Sequence, residues 1–327
     1  AYQFVFVAGV SGSVITIEPP LSAGFRAADM VLVQLVPHYT ALSISGAQTV
    51  PAFGSTPGGV YVARATGNIV ISGSLTANGA GFRGGAGVAG NGANPFLGEG
   101  HTGAGARAAF SSVLPLPANG SGGGAAPAFE DTAVGGGGGG HGAAGTDGVS
   151  FATGTASVVS GGALVGSAAL STWFLGGGGG GGQPDSDDDG DESNNVTGNG
   201  GNGGGLIGLY AGGTLTVSGT LSARGAAGSN ASWSGWTPLA WWRTGEVGGG
   251  GGGAGGQLLL VAPTVTVSAG TVNATGGAGG TGLADSVSYP YTVSSGGAGA
   301  SGRVRVESTG AFTGSTSPSA ATGAFVP

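Results

Sequence analysis

The residues best suited to chemistry form one acidic stretch, in which Asp185, Asp187, Asp189 and Asp191 alternate through DSDDDGD with Gly190 inside the run. Carboxylates at alternate positions converge on one hard cation, and glycine permits the sharp turn, so the spacing matches the D-x-D-x-D-G opening of a calcium loop. The last position of that pattern, where a bidentate Glu would sit, is Val196. The expectation is therefore a weak calcium site of the extracellular kind, set against a plain solvated acidic loop.

Aromatic residues mark two further candidate contacts. Trp233, Trp236, Trp241 and Trp242 crowd the stretch SWSGWTPLAWWR at 232–243. Rigid indoles offer large contact area, so the cluster is read as a plug on the core, a subunit contact or a platform for cell-surface glycans. At the start of the chain, Tyr2, Phe4 and Phe6 alternate with Gln3, Val5 and Val7. A strand apolar on both faces completes its own sheet or adds to that of a neighbouring subunit. Sequons at Asn119, Asn195, Asn230 and Asn273 are acceptors for glycosylation in a secreted chain.

Other chemistries are excluded or unsupported. His38, His101 and His141 share no ligand spacing, and no Ser/His/Asp arrangement can be argued from the order of residues. The chain has no lysine, so its glycine runs contain no phosphate-binding G-x-x-x-x-G-K, and no internal Lys–Asn isopeptide bond can form. It has no cysteine and hence no disulfide framework. A non-enzymatic protein is expected. The net charge is −7, and the basic residues, all Arg, are scattered from Arg26 to Arg305, which argues against nucleic acid as a partner. No apolar stretch reaches the roughly 18 residues of a membrane span. The start at Ala1 is read as that of a mature chain, in keeping with an extracellular or cell-surface location.

The elements that must position these residues follow from composition and periodicity. Glycine supplies 80 of 327 residues, and glycine weakens helix interiors by up to about 1 kcal/mol each, so an all-β chain with little or no α-helix is predicted. The mean hydropathy of +0.26 is too high for a disordered chain. Four segments read alike: GGVYVARATGNIVISGSLTANG (58–79), GGLIGLYAGGTLTVSGTLSARG (204–225), GGQLLLVAPTVTVSAGTVNATG (255–276) and ASGRVRVESTGAFTGSTSPSAATG (300–323). Residues 28–50 follow a similar rhythm, and 11–21 hold a further strand. Units of about 20 to 25 residues cannot bury their own apolar face and must stack or pair. The inward set is expected to be Val60, Val62, Ile69, Ile71 and Leu75, matched by Leu206, Leu215, Val217 and Leu221.

Insertions leave each unit after its NG, RG or TG ending and return through glycine, so they should lie side by side on one flank. The runs at 135–140, 176–182, 200–205 and 248–256 have every backbone donor to satisfy and no side chain to bury. Extended three-residue-per-turn helices that bond only to neighbours answer both demands, and a polyglycine-II layer is predicted, with irregular loops as the alternative. The whole chain reads as a single elongated β domain. Residues 1–80 carry the N-terminal strands and the first unit, 81–203 a long glycine-rich insertion, and 204–327 the later units with a Trp-rich insertion at 229–247.

The succession VPHYTALSISGAQTVPAFGSTPGGVYVARATGNIVISGSLTANGAGFRGG (36–85), followed by glycine runs that re-enter apolar strands, resembles glycine-rich secreted surface and filament proteins of bacteria. The glycine tracts also resemble the polyglycine-sandwich adhesins of phage tail-fibre tips. The resemblance implies an extracellular structural or adhesive protein and transfers no catalytic residue. Two architectures remain open, a β-solenoid-like core and a β-sandwich. The first functional expectation is a subunit of a self-assembling filament or surface layer, with itself as partner. The second is an adhesin or receptor-binding tip, with the Trp-rich and acidic loops as recognition elements. The third is an ice- or surface-binding protein, since polyglycine bundles and β-solenoids can present flat faces, but the sequence shows no regular Thr-x-Thr ladder.

Overall fold

In this computed structural model the described residues are 5–18, 20, 34–54, 58–89, 94–108, 118–126, 133–151, 158–184, 195–233, 246–284 and 294–325. They contain strands and no helix. Three sheets carry the repeat units, and all of their strand pairs are parallel. Sheet I runs through His38–Tyr39, Val60–Ala65, Leu206–Ala211, Gln257–Val261, Arg303–Ser308 and Ala321–Ala324. Sheet II runs through Leu42–Ile44, Ile69–Ile71, Thr214–Val217 and Thr264–Val267, and Thr313 extends it by a bridge to Thr266. Sheet III runs through Ala47–Thr49, Ser74–Thr76, Thr220–Ser222 and Thr271–Asn273, and Ser317 extends it by a bridge to Asn273. Four units thus give one strand to each sheet in the same order, each lying on the last in register, and the unit from Arg303 gives a strand to sheet I and a single bridge to each of the other two.

Stacking in register turns a weak local pattern into ladders of like side chains. Leu42, Ile69, Leu215 and Val265 form one inward column, Ile44, Ile71, Val217 and Val267 the next. Leu75, Leu221 and Val272 form a third in sheet III. With Ile207, Leu209, Leu258, Leu260, Val304 and Val306 of sheet I they make one buried cluster, so the three sheets face a common core. The expected inward set is right for Ile69, Ile71, Leu75, Leu215, Val217 and Leu221. Val60, Val62 and Leu206 instead lie on the opposite face of sheet I, packed with Leu170, Trp173, Leu175 and Leu259. Sheet I is covered on both sides, and a strand buried on both faces shows no alternation from which to choose the inward one. Gly208 makes room for this second layer: a Cβ there would lie 2.6 Å from the Trp173 ring.

The glycine runs form a bundle whose backbone hydrogen bonds have a period of three. Gly177, Gly180 and Gln183 donate to the carbonyls of Gly140, Gly137 and Val134; Gly178 and Gly181 to Glu99 and Phe96; Gly176, Gly179 and Gly182 to Gly204, Gly201 and Gly198. The run 248–256 repeats the scheme. Gly248, Gly251 and Ala254 donate to Gln183, Gly180 and Gly177; Gly249, Gly252 and Gly255 to Ser294, Gly297 and Ala300; Gly250, Gly253 and Gly256 to Ser229, Ala226 and Ala223. Each run therefore turns once per three residues and satisfies its polar groups through surrounding segments, with no bond inside itself. The backbone amides of the runs at 135–140, 176–182, 200–205 and 248–256 thus bond to surrounding segments.

Candidate interaction surfaces

The excursions from the bundle begin and end close together. Pro184, before the acidic stretch, bridges Val247, and Asn195, after it, pairs with Trp233. Glu246 and Val247, where the Trp-rich insertion returns, pair with Ala284 and Leu283. Ser294 donates its hydroxyl to the carbonyl of Ala133, which pairs with Phe151. One end of the bundle thus gathers the roots of the acidic and Trp-rich segments, although more than thirty residues separate Asn195 from Trp233 in the chain. Asp185, Asp187, Asp189, Asp191, Trp236, Trp241 and Trp242 themselves, with Tyr2 and Phe4, lie outside the described residues. Among the described residues no three His, Asp or Glu side chains are grouped to hold a metal ion. No helix among them is long and apolar enough to cross a membrane.

The N-terminal strand Phe6–Ser11 pairs with Val14–Glu18 as an antiparallel hairpin outside the three stacked sheets. A bulge between Val7 and Gly9 keeps Val7, Ile17, Val10 and Ile15 on one face, which is wholly aliphatic. Val10 is 69% exposed and Val7 57%. Phe6 lies on the other face, 5.5 Å from the Arg64 guanidinium. Leu35, beyond the hairpin, is 86% exposed.

Sequence reasoning missed two polar arrangements, one along an edge of the bundle and one that holds 163–175 to sheet I. Asn199 and Asn202, spaced by three in NGGNGG, accept hydrogen bonds from the amides of Gly87 and Gly84 at 2.8 and 2.9 Å. Thr197 continues this edge by accepting from Val88 at 2.7 Å. The period of three was the available signal. The second arrangement centres on His141, which is fully buried. Its Nε2 lies 3.2 Å from the Phe174 carbonyl and so carries the ring proton. Gln257 accepts from the Phe174 amide, and Arg303, its register partner in sheet I, donates to the carbonyls of Val165 and Gly166 at 2.8 and 3.1 Å. Burial above all, then the Arg303 charge, lowers the His141 pKa to about 4, against the opposing pull of the Phe174 carbonyl. These side chains, scattered through the sequence, clamp 163–175 onto sheet I.

A shallow groove of about 240 Å³ lies among Arg83, Gly85, Phe96, Leu97, Glu99 and Gly105. Arg83 closes one side through an ion pair of 3.1 Å with Glu99, which raises the Arg83 pKa, while Arg107 stacks on Phe96 at 4.7 Å. Of the sequon residues, Asn119 donates to the carbonyls of Gly98 and Gly103, Asn273 accepts from the amide of Thr275, and Asn230 is exposed and accepts from Thr281. Asn195 lies in the strand opposite Trp233. Compared with known protein families, curated proteins and solved structures, the chain matches none.

Proposed function

We propose that this chain is a non-enzymatic extracellular structural subunit that joins copies of itself end to end into a filament or surface layer. Its architecture is read as a three-faced β-solenoid carrying a bundle of polyglycine-II helices. The observation that carries this reading is the open backbone at both ends of the stack. One end finishes on His38–Tyr39, Leu42–Ile44 and Ala47–Thr49, the other on Ala321–Ala324, Thr313 and Ser317, and no described residue pairs with the outer side of either. Unpaired strand edges template further pairing. Both ends present all three sheets, so the last strands of one copy fit over the first strands of the next. The two ends differ, the contact is heterologous, and such contacts grow open filaments unless a rotation closes them. The aliphatic hairpin face adds apolar contact surface beside the first end. Electron microscopy and sedimentation of the purified chain test the reading: regular polymers are expected, and uniform single particles at high concentration would overturn it.

A second reading, an adhesin or receptor-binding tip, is favoured by the gathering of the acidic and Trp-rich roots at one end of the bundle. Runs such as 176–183 would hold those loops about 25 Å from the sheets at about 3.1 Å per residue. Loops on a rigid scaffold are the usual carriers of recognition. Discrete particles that bind cell-surface glycans, and lose binding when 234–245 is replaced by glycine and serine, would favour this reading over the first.

A further inference from the structure

The outward columns of sheets II and III form a hydroxyl array without charge. In sheet II, Thr214 lies beside Thr264, and Ser43, Val70, Thr216, Thr266 and Thr313 form one continuous column. Beyond the strand ends, Ser45, Ser72, Ser218 and Ser268 occupy the corner, all exposed. Past it, Ala47, Ser74, Thr220 and Thr271 form a column of sheet III. Thr214, Thr264, Thr271 and Thr313 are exposed, while Thr216, Thr266 and Thr220 are half-buried. None of the strand residues of sheets II and III is charged or aromatic.

Parallel stacking places successive rows about 4.8 Å apart and outward positions of one strand about 6.6 Å apart. Threonine is stiff at χ1, so each hydroxyl and methyl has a narrow range of positions. Beneath them Ile69, Ile71, Leu215 and Val217 are fully buried, which anchors the strands of sheet II from below. Two Thr-x-Thr rows therefore lie in register, and Val70, the isostere of threonine, and Thr313 extend one column to either side.

We infer that this face binds ice. A surface without charge has no hold on ions or nucleic acid, and one without aromatic rings has none to stack on sugars. It does present a two-dimensional repeat of fixed hydroxyls and methyls, with spacings near those of oxygens on ice crystal faces. Water held by such hydroxyls and ordered around such methyls continues an ice lattice. The inference does not depend on end-to-end assembly, since the array lies within one chain.

Freezing hysteresis and partition of the full chain into slowly growing ice test it. The wild-type chain is expected to show hysteresis and to enter the ice, and Thr216→Tyr/Thr266→Tyr, with an unchanged far-ultraviolet circular dichroism spectrum, is expected to lose both. If the double variant unfolds, Thr264→Lys at an exposed position tests the same face by adding charge. Absence of both effects in the wild-type chain would overturn the inference, and so would a folded variant that keeps them.

Discussion

Most glycines of the bundle are required by contact and not by backbone angle. None of those in 176–182 or 248–253 has a positive φ, yet a Cβ on Gly179 would run into the carbonyl of Gly251, and one on Gly251 into that of Gly137. The obstructing atoms are backbone in a lattice bonded on all sides, so nothing moves aside cheaply. Gly179→Ala is expected to destabilise the fold by about 1–3 kcal/mol in urea unfolding. Gly46→Ala, with nothing within 4 Å of its Cβ, should stay within about 0.5 kcal/mol. His141 supplies a pH signature at the same scale. Its folded pKa is about 4 and its unfolded value about 6.5. Between these values the unfolded chain holds more protons, so stability present above about pH 6.5 is lost as the pH falls toward 4. The drop in urea midpoint from about pH 7 to about pH 4.5 should shrink in His141→Gln, which has no imidazole to protonate.

Between elements, the edge of the glycine lattice is sealed by side chains that stand in for a missing neighbour. Asn202 provides a carbonyl where no backbone carbonyl serves the Gly84 amide, and Asn199 does the same for Gly87. Asn202→Ala is expected to cost about 1 kcal/mol and to speed hydrogen exchange at Gly84, while Asn202→Asp retains the acceptor and most of the protection. The sheets depend on a different device. Sheet I is clamped on its outer face through Trp173, Gln257 and Arg303, whereas sheet II has Ser43, Thr214 and Thr264, and sheet III has Thr271, exposed on the outer face. The clean alternation of TLTV and TVTV, against the continuous apolar run QLLLV, is legible in the sequence and reports that difference.

At the scale of the whole molecule, assembly turns on which backbone groups face outward at the open ends. Leu42 donates to Asn68 and Ile44 accepts from Ser72, so the amide of Ser43 between them points away from the stack. In sheet III, Ser74 donates to Gly46 and Val50 donates to Thr76, which leaves the Ala47 amide on the open side. Proline is tolerated where a strand amide faces no partner. Ser43→Pro/Ala47→Pro is therefore expected to fold and to remain monomeric in sedimentation under conditions where the wild-type chain polymerises. Polymerisation at the wild-type level would show that this end is not the joint.

The sequence by itself determined the all-β character, the strand-bearing units and the need of the glycine runs for partners, because composition and local periodicity encode these. It also showed that the insertions leave and return at like positions in each unit. Only the tertiary structure decided which face of sheet I looks inward, since Leu206–Ala211 is apolar on both sides. It alone aligned Thr216 with Thr266 and Thr313, set His141 against Arg303, and brought Asn195 to Trp233. Those relations depend on register across insertions of unequal length, and register is set when whole units stack on a shared core. No window of the chain holds the two rows at once, so the hydroxyl face appears only when the units lie on one another.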